Sequence, residues 1–228
     1  MKKIVVLTGA GISAESGIST FRDADGLWEG HDIMEVASPI GWHNNKALVL
    51  DFYNKRRIQL FTVLPNEAHK ALVDLEQHYQ VSIITQNVDD LHERAGSKNV
   101  LHLHGELLKV RSVKNSKLIY NWNTDLNIGD LCEEKSQLRP HIVWFGEEVP
   151  MLEKAIEITS KADILMIIGT SMQVYPAANL INFIATEIPV YFIDPKPAIQ
   201  KNYFPNLTVI SEKASTGVTK VVTKLIDL

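Results

Sequence analysis

The sequence has a single cysteine, Cys132, in 228 residues. No internal disulfide can form and no Cys-x-x-Cys metal pair exists, which suits a reducing compartment. Neither sign of charge is in excess: 23 Lys and Arg against 27 Asp and Glu leave a formal net charge of −4. That argues against a dedicated nucleic-acid binder, which needs clustered Lys and Arg for phosphate. Long hydrophobic runs are missing too. Ile4–Leu7 stops at Thr8-Gly9-Ala10-Gly11, short of the roughly 7–15 apolar residues at the heart of a signal peptide. No later segment approaches the ~18 apolar residues of a membrane span. The expectation is a cytoplasmic protein with no membrane and no nucleic-acid partner. Little chain lies outside the expected first strand and last helix to form a regulatory tail.

What is present is ordinary for a globular protein, 45% hydrophobic and 22% charged, in a chain long enough to bury a large core. Short β-branched runs recur at Ile4–Leu7, Val81–Thr85, Leu165–Ile168, Val190–Ile193 and Thr208–Ile210. Each is nearly continuously apolar, as strands covered on both faces must be. Helix-compatible stretches lie between them at Asn66–Tyr79, Pro150–Lys161 and Ala177–Thr186, with Val218–Ile226 closing the chain. The alternation predicts an α/β fold: a parallel, Rossmann-like sheet with helices on both faces. Two stretches break it. One runs from about Phe21 to Leu64 and holds a helical run near Lys46–Leu60. The other, about Leu108 to Leu138, is polar and punctuated by Asn and Gly. Both read as insertions that pack into a small lobe.

Chemistry-bearing residues gather at the strand ends, where such sheets bind ligands. Gly9-Ala10-Gly11 follows the first strand, and glycines there let backbone approach a diphosphate at a helix N-terminus. The next glycine, Gly17, comes six residues on, not at the dinucleotide fingerprint spacing. Gly169-Thr170-Ser171 offers a second small-residue strand end. Asp194 ends a later strand and suits the two hydroxyls of an adenine ribose, or else starts a turn before Pro195. Gln86, Asn87 and Asp89 follow Val81–Thr85 and suit a nicotinamide carboxamide and ribose, or a helix cap. His102 and His104 would share one face of an extended segment. Taken in isolation each reads first as a structural histidine; as functional groups they read as a metal pair or, better, as the source of one general base.

Taken together, GAGISAESGISTFR (Gly9–Arg22), TQNVDDLHERAG (Thr85–Gly96), HLHGE (His102–Glu106), RPHIVWFGE (Arg139–Glu147) and GTSMQVYPAA (Gly169–Ala178) resemble the sirtuins, the NAD-dependent lysine deacylases. The resemblance implies one catalytic domain over residues 1–228, with the small lobe built from insertions near 22–64 and 108–138. It implies NAD as cofactor, held by Gly9, Ala10, Gly11, Phe21, Arg22, Gln86, Asn87, Asp89, Gly169, Thr170, Ser171 and Ala214, with Asp194 added from its strand-end position. His104 matches the catalytic histidine, His102 does not, and Asn87 joins His104 in catalysis. Val143, Trp144, Phe145 and Gly146 match the segment that pairs with substrate peptide as an added strand. The implied reaction has the acyl-lysine carbonyl oxygen attack the anomeric carbon as nicotinamide departs. His104 then removes a ribose proton, with Phe21 and Phe145 excluding water. Nicotinamide, free lysine and O-acyl-ADP-ribose result.

Two departures matter. Most sirtuins hold a structural zinc on four cysteines, but here Ser112 and Asn115 stand in the first pair and Cys132 alone remains of the second. One thiolate cannot hold such a site, so zinc is not expected. In contrast, Tyr53 and Arg56 lie one turn apart on the expected helix. A phenol beside a guanidinium makes a carboxylate receptor, and the pair resembles the Tyr-x-x-Arg of sirtuins that remove succinyl, malonyl and glutaryl groups. Removal of such groups, with acetyl also accepted, is the expectation. Protein ADP-ribosyl transfer and an NAD sensor without turnover are the competing readings.

Overall fold

The protein is described as a computed structural model over residues 1–19, 27–28, 30–199 and 205–227. In chain order it runs β1 (Lys3–Thr8), α1 (Ala10–Ala14), β2 (Leu27–Trp28), β3 (His31–Asp32), α2 (Ile33–Val36), α3 (Pro39–Asn44), α4 (Lys46–Thr62), α5 (Glu67–Leu75) and β4 (Gln80–Thr85). It continues through α6 (Leu91–Ala95), β5 (Val100–His102), β6 (Gly105–Ser112), β7 (Ile119–Asn121), β8 (Leu138–Ile142), α7 (Leu152–Thr159) and β9 (Ile164–Ile168). A 3-10 helix (Ala177–Phe183), β10 (Val190–Ile193), β11 (Leu207–Ile210) and α8 (Ala214–Ile226) complete it.

Six strands form one parallel sheet in the order β11-β10-β9-β1-β4-β5. Strand alternation explains why these segments are apolar throughout. Ile4 and Val6 of β1 enter a core with Ala68, Leu72 and Leu75 of α5 and Val218, Val221 and Leu225 of α8. Val5 and Leu7 point the other way, into a core with Ala155 of α7 and Leu180 and Ile181 of the 3-10 helix. Each such side chain fully withdrawn from water contributes about 1.5–3 kcal/mol. The expected α/β architecture is therefore the observed one, a parallel sheet between two helical layers.

The polar stretch from 108 to 138 holds more regular structure than its composition suggests. β7, β6 and β8 form an antiparallel sheet in that order. One face of it packs while the other meets solvent, so its strands carry polar residues that hide them from a hydrophobicity reading. Its apolar residues meet α4: Leu107, Ile142 and Trp144 pack with Val49, Phe52 and Tyr53, and Val110, Leu126, Cys132 and Leu138 pack with Leu50. α3 opens on Ser38, whose hydroxyl accepts from the Gly41 N–H at 3.0 Å, with Pro39 in the first turn, a standard helix start.

Several element bounds differ from expectation, among them the helix expected over Asn66–Tyr79, which ends at Leu75. The stretch Ala177–Thr186 is a 3-10 helix ending at Phe183, tightened by a bond from the Asn179 N–H to the Pro176 carbonyl. The helix expected over Pro150–Lys161 is confined to Leu152–Thr159. The closing helix starts at Ala214 rather than Val218. Glu15 is the reason, because its carboxylate accepts from both the Ser215 N–H and hydroxyl at 2.8 Å. That satisfies orphan donors in the first turn. No helix among the described residues is long and apolar enough to cross a membrane.

Candidate active site

The site is built from loops that leave the C-terminal ends of neighbouring strands. After β1, the Gly9 N–H donates to the Ile168 carbonyl at 3.0 Å and the Gly11 N–H to the Gly169 carbonyl at 2.8 Å. The β1–α1 loop thus lies directly on the end of β9. A Cβ at Gly11 would stand 2.6 Å from the Gly169 Cα, and one at Gly169, where φ is +62, would stand 2.4 Å from the Ile12 nitrogen. Only glycine fits at either position, and Ala10 between Gly9 and Gly11 opens α1. From the end of β4, the Gln86 amide donates to the Thr170 hydroxyl at 3.2 Å. Three strand ends are stitched at one point.

Asn87 is buried beneath this crossing. Its amide donates to the Gly9 carbonyl and to the Ser13 hydroxyl, each at 3.1 Å. Ser13 in turn donates to Asp89 at 2.9 Å, and the other Asp89 oxygen accepts from the Leu91 N–H at 3.2 Å. Burial pushes the Asp89 carboxyl above its ordinary value, against the lowering effect of those two donors. The Gly9–Asn87–Ser13–Asp89 chain is a fixed polar pocket floor, and its glycine cradle admits backbone-close contact with a diphosphate. Those features fit a dinucleotide.

His102 ends β5 and pairs in register with Thr85, but the chain bends through 103–104 before β6. Even so, the half-buried His102 and His104 alternate with the buried Leu101 and Leu103. His104 Nδ1 lies 3.0 Å from the Gln86 carbonyl. That carbonyl fixes the Nδ1–H tautomer and leaves Nε2 with its lone pair. Burial lowers the imidazole pKa, outweighing the opposing effect of the carbonyl. A neutral imidazole with an exposed-electron-pair nitrogen is a competent base.

The remaining expected residues fall in several places. Thr170 is buried beside Gln86 and Ser171 is half-buried. Asp194 is buried at the end of β10, and one carboxylate oxygen accepts from the Lys196 N–H at 2.8 Å, the turn-forming bond. Ala214 opens α8 and is buried. Phe21 and Arg22 lie outside the described residues.

Val143–Gly146 follows β8, and its main chain is already partly engaged. The Val143 N–H donates to His104, the Phe145 N–H to Ala37 and the Trp144 N–H to the Glu147 carboxylate, all at 2.9 Å. Gly146 is a left-handed residue with φ +88. Trp144 is clamped on two sides. Its indole N–H donates to the Tyr53 oxygen at 2.9 Å, and the Arg139 guanidinium stacks 3.3 Å from its ring centre. Arg139 also pairs with Glu147 at 2.6 Å.

On α4 the basic run Lys55-Arg56-Arg57 is not a uniformly solvated face. Lys55 is exposed and pairs with Asp51, Arg57 is buried and donates to Asn54, and Arg56 is half-buried with its guanidinium 5.4 Å from the Phe52 ring centre. Tyr53 is fully buried, and burial pushes its phenol far above the ordinary value.

Where zinc cysteines would stand, Ser112 accepts from the Lys114 and Asn115 N–H groups at 3.3 Å, and the Asn115 amide donates to Glu134 at 3.1 Å. The buried Cys132 bonds through its N–H to the Ser136 carbonyl. Among the described residues no three His, Cys, Asp or Glu side chains group to hold a metal ion. A single thiol with a hydroxyl and an amide is not a zinc donor set.

The sequence reading missed Ser13, Asn66 and Glu93. Ser13 had a readable signal, standing four residues after Gly9 on the helix that opens the loop. Asn66 caps α5 and also donates to the Ile12 carbonyl at 2.8 Å. Nothing local marks that second role. Glu93 holds His102 at 2.7 Å, a pairing only the fold creates.

The comparisons with known proteins agree with this geometry. The Sir2 family pattern matches residues 9–176. An NAD-dependent protein deacylase of Helicobacter pylori is 62% identical over 228 residues, covering 100% of this chain and 99% of its own. One from Leishmania major is 52% identical over 189 residues, 78% of this chain and 77% of its own. A Sir2 homologue solved with NAD superposes with a TM-score of 0.88 at 37% identity, covering 99% of this chain and 90% of that one. A Sir2 protein bound to an acetylated peptide gives a TM-score of 0.80 at 28% identity, over 97% and 92%. The chain belongs to the Sir2 family.

Proposed function

We propose that this protein is a NAD-dependent protein-lysine deacylase that removes succinyl- and malonyl-type groups and also accepts acetyl, leaving nicotinamide, free lysine and O-acyl-ADP-ribose. The general activity, NAD-dependent deacylation, follows from its family and from close deacylase relatives along the whole chain. When bound, NAD supplies a ribose carbon made electrophilic by departure of nicotinamide. Gly9, Ala10, Gly11, Gln86, Gly169, Thr170 and Ser171, with Asp194 and Ala214 toward the adenine end, are the residues that would hold it, together with Phe21 and Arg22. Asn87 and Asp89 orient its nicotinamide end from a buried, hydrogen-bonded floor. His104 Nε2 takes the ribose hydroxyl proton, its ring aimed by the Gln86 carbonyl. Val143, Trp144, Phe145 and Gly146 line the peptide's path, and the half-exposed Phe145 ring shields the reacting atoms from water.

The acyl preference rests on one observation: the Tyr53 oxygen accepts from Trp144 of the substrate segment, one helical turn from Arg56. The Tyr53 hydroxyl keeps its own proton while its oxygen accepts from the indole. Burial keeps that proton on across the physiological range. Arg56 supplies the positive charge a distal carboxylate needs, and an acetyl group has nothing to offer it.

The test is product analysis by mass spectrometry with NAD and matched succinyl-, acetyl- and unmodified-lysine peptides, on the wild type and on Arg56→Met. Succinyl removal in the wild type and its selective loss by about tenfold or more in Arg56→Met are expected, one charge-assisted bond being worth roughly that factor. Equal loss on both acyl peptides would refute the anchor. Nicotinamide release without acyl loss would move the reading to ADP-ribosyl transfer or NAD hydrolysis, and no release at all to a sensor.

A further inference from the structure

Two histidines two residues apart meet different partners. His104 Nδ1 faces one acceptor, the Gln86 carbonyl. His102 faces two: the Asn87 carbonyl lies 3.1 Å from Nδ1 and the Glu93 carboxylate 2.7 Å from Nε2. A neutral imidazole carries one N–H and one lone pair. It satisfies the single acceptor at His104 but leaves a lone pair against an oxygen at His102, whichever tautomer is chosen. Only the imidazolium donates to both.

We propose that His102 is a positioning residue that works as an imidazolium: clamped by Glu93, it holds the Asn87 carbonyl and so keeps the Asn87 amide aimed at Gly9 and Ser13. It acts through Asn87, whose carbonyl it holds. Adjacent residues of one loop, Gln86 and Asn87, thus have their carbonyls held by two histidines in opposite protonation states. One histidine is a base and the other a fixed cation.

The surroundings favour the cation. Glu93 on α6 is its ion-pair partner, and Glu106 on β6 adds negative charge, itself paired with Lys109 at 2.7 Å. Asp89 on the loop after β4 faces the ring electrostatically, as does His92 on α6, whose own burial keeps it neutral. Burial opposes the charge on His102, yet the Glu93 bond and charge outweigh it and hold the pKa above the ordinary value. A raised pKa means the clamp is fully present below about 6.5, the unpaired histidine value, and is lost as pH rises through the folded value. His104 behaves oppositely, losing its base as pH falls through a lowered value. The active range lies between the two, with an acid limb from His104 and an alkaline limb from His102.

The activity arm rests on the deacylase reading, while the spectroscopic and binding arms do not. Nitrogen-15 imidazole spectra of the full chain across a pH titration are expected to show His102 losing its second proton only above the ordinary histidine value of about 6.5, and His104 neutral there with its proton on Nδ1. In Glu93→Gln the His102 titration moves down by about one pH unit, as for loss of one close opposite charge. Calorimetry with NAD then separates position from structure. His102→Ala weakens NAD binding about tenfold where the wild-type ring is charged, the cost of one charge-assisted bond, and the difference closes as the wild-type ring loses its proton. His102→Asn, whose amide nitrogen stands where Nδ1 stood and cannot titrate, binds like wild type and loses the alkaline limb. A His102 already neutral at about pH 6.5, or an alkaline limb that survives in His102→Asn, overturns the proposal. Wild-type protein with these spectra and no acyl transfer would remove the deacylase reading and leave the clamp standing.

Discussion

Acidification from pH 7 to pH 5 is expected to destabilise this protein through one buried histidine that takes no part in the chemistry. His69 lies on α5 with no exposed surface, and its Nδ1 accepts from the Asn66 N–H at 3.3 Å to close a capping box. Its ring centre is 4.9 Å from that of His92, also buried, whose Nε2 lies 3.1 Å from the Thr8 hydroxyl. Protonating Nδ1 would turn the acceptor of the box into a second donor, in a place closed to bulk solvent. Burial accordingly lowers the His69 pKa from 6.5 to about 4. The unfolded chain binds this proton first, so stability falls as pH drops below 6.5 and levels off below 4. The depression is worth about 3 kcal/mol in all, of which about 2 kcal/mol is gone by pH 5. Urea unfolding followed by circular dichroism at pH 7 and 5 measures it, with His69→Gln as control. Glutamine at this position makes the same capping box and does not titrate. The wild type should lose about 2 kcal/mol more than His69→Gln over that interval. Equal losses would refute the reasoning and place the acid sensitivity elsewhere.

Three further outcomes are expected. Gly11→Ala drives a methyl into the Gly169 backbone and costs about 1–3 kcal/mol of stability, read by thermal melting, together with a loss of NAD affinity by calorimetry. Unchanged affinity would mean the crossing does not shape the cofactor site. His104→Ala lowers product formation by about 10²–10⁴-fold, the usual worth of a general base, while retaining NAD binding; near-normal turnover would remove the base assignment. Incubation with a strong chelator leaves both melting temperature and activity unchanged, and a fall in either would reveal a metal the donor set does not predict.

The sheet was legible because of where its strands sit. β1, β9 and β10 are covered on both faces, so Ile4 through Leu7, Leu165 through Ile168 and Val190 through Ile193 are apolar without interruption. The site was legible because its residues cluster at the ends of those same strands. β6, β7 and β8 were not, since a sheet with one wet face alternates and borrows polar residues such as Asn121 and Arg111. The start of α3 was readable from Ser38-Pro39 and went unread. Other features have no local signal. Glu15 caps α8 from 200 residues away, and His69 meets His92 across two helices. A side chain that satisfies a distant backbone group leaves no period in the sequence.

The position of the site follows from the order of strands rather than from any motif. β1 is the first strand in the chain, yet it lies inside the sheet. The chain builds β4 and β5 on one side of it and later β9, β10 and β11 on the other. Connections on the two sides must leave β1 in opposite directions, so their loops diverge above its C-terminal end and open a crevice there. Gly9, Gln86 and Gly169 are the first residues beyond β1, β4 and β9, the three strands that meet at that point. The glycines let the loops close the floor of the crevice to hydrogen-bonding distance, and the amides of Gln86 and Asn87 tie the third loop to the other two. The His102–His104 bend follows β5, the next strand out, which is why both rings reach the carbonyls of 86 and 87 and not the glycine loop itself. Moving β5 to any other place in the sheet would leave every motif intact and separate His104 from the buried polar chain at Asn87.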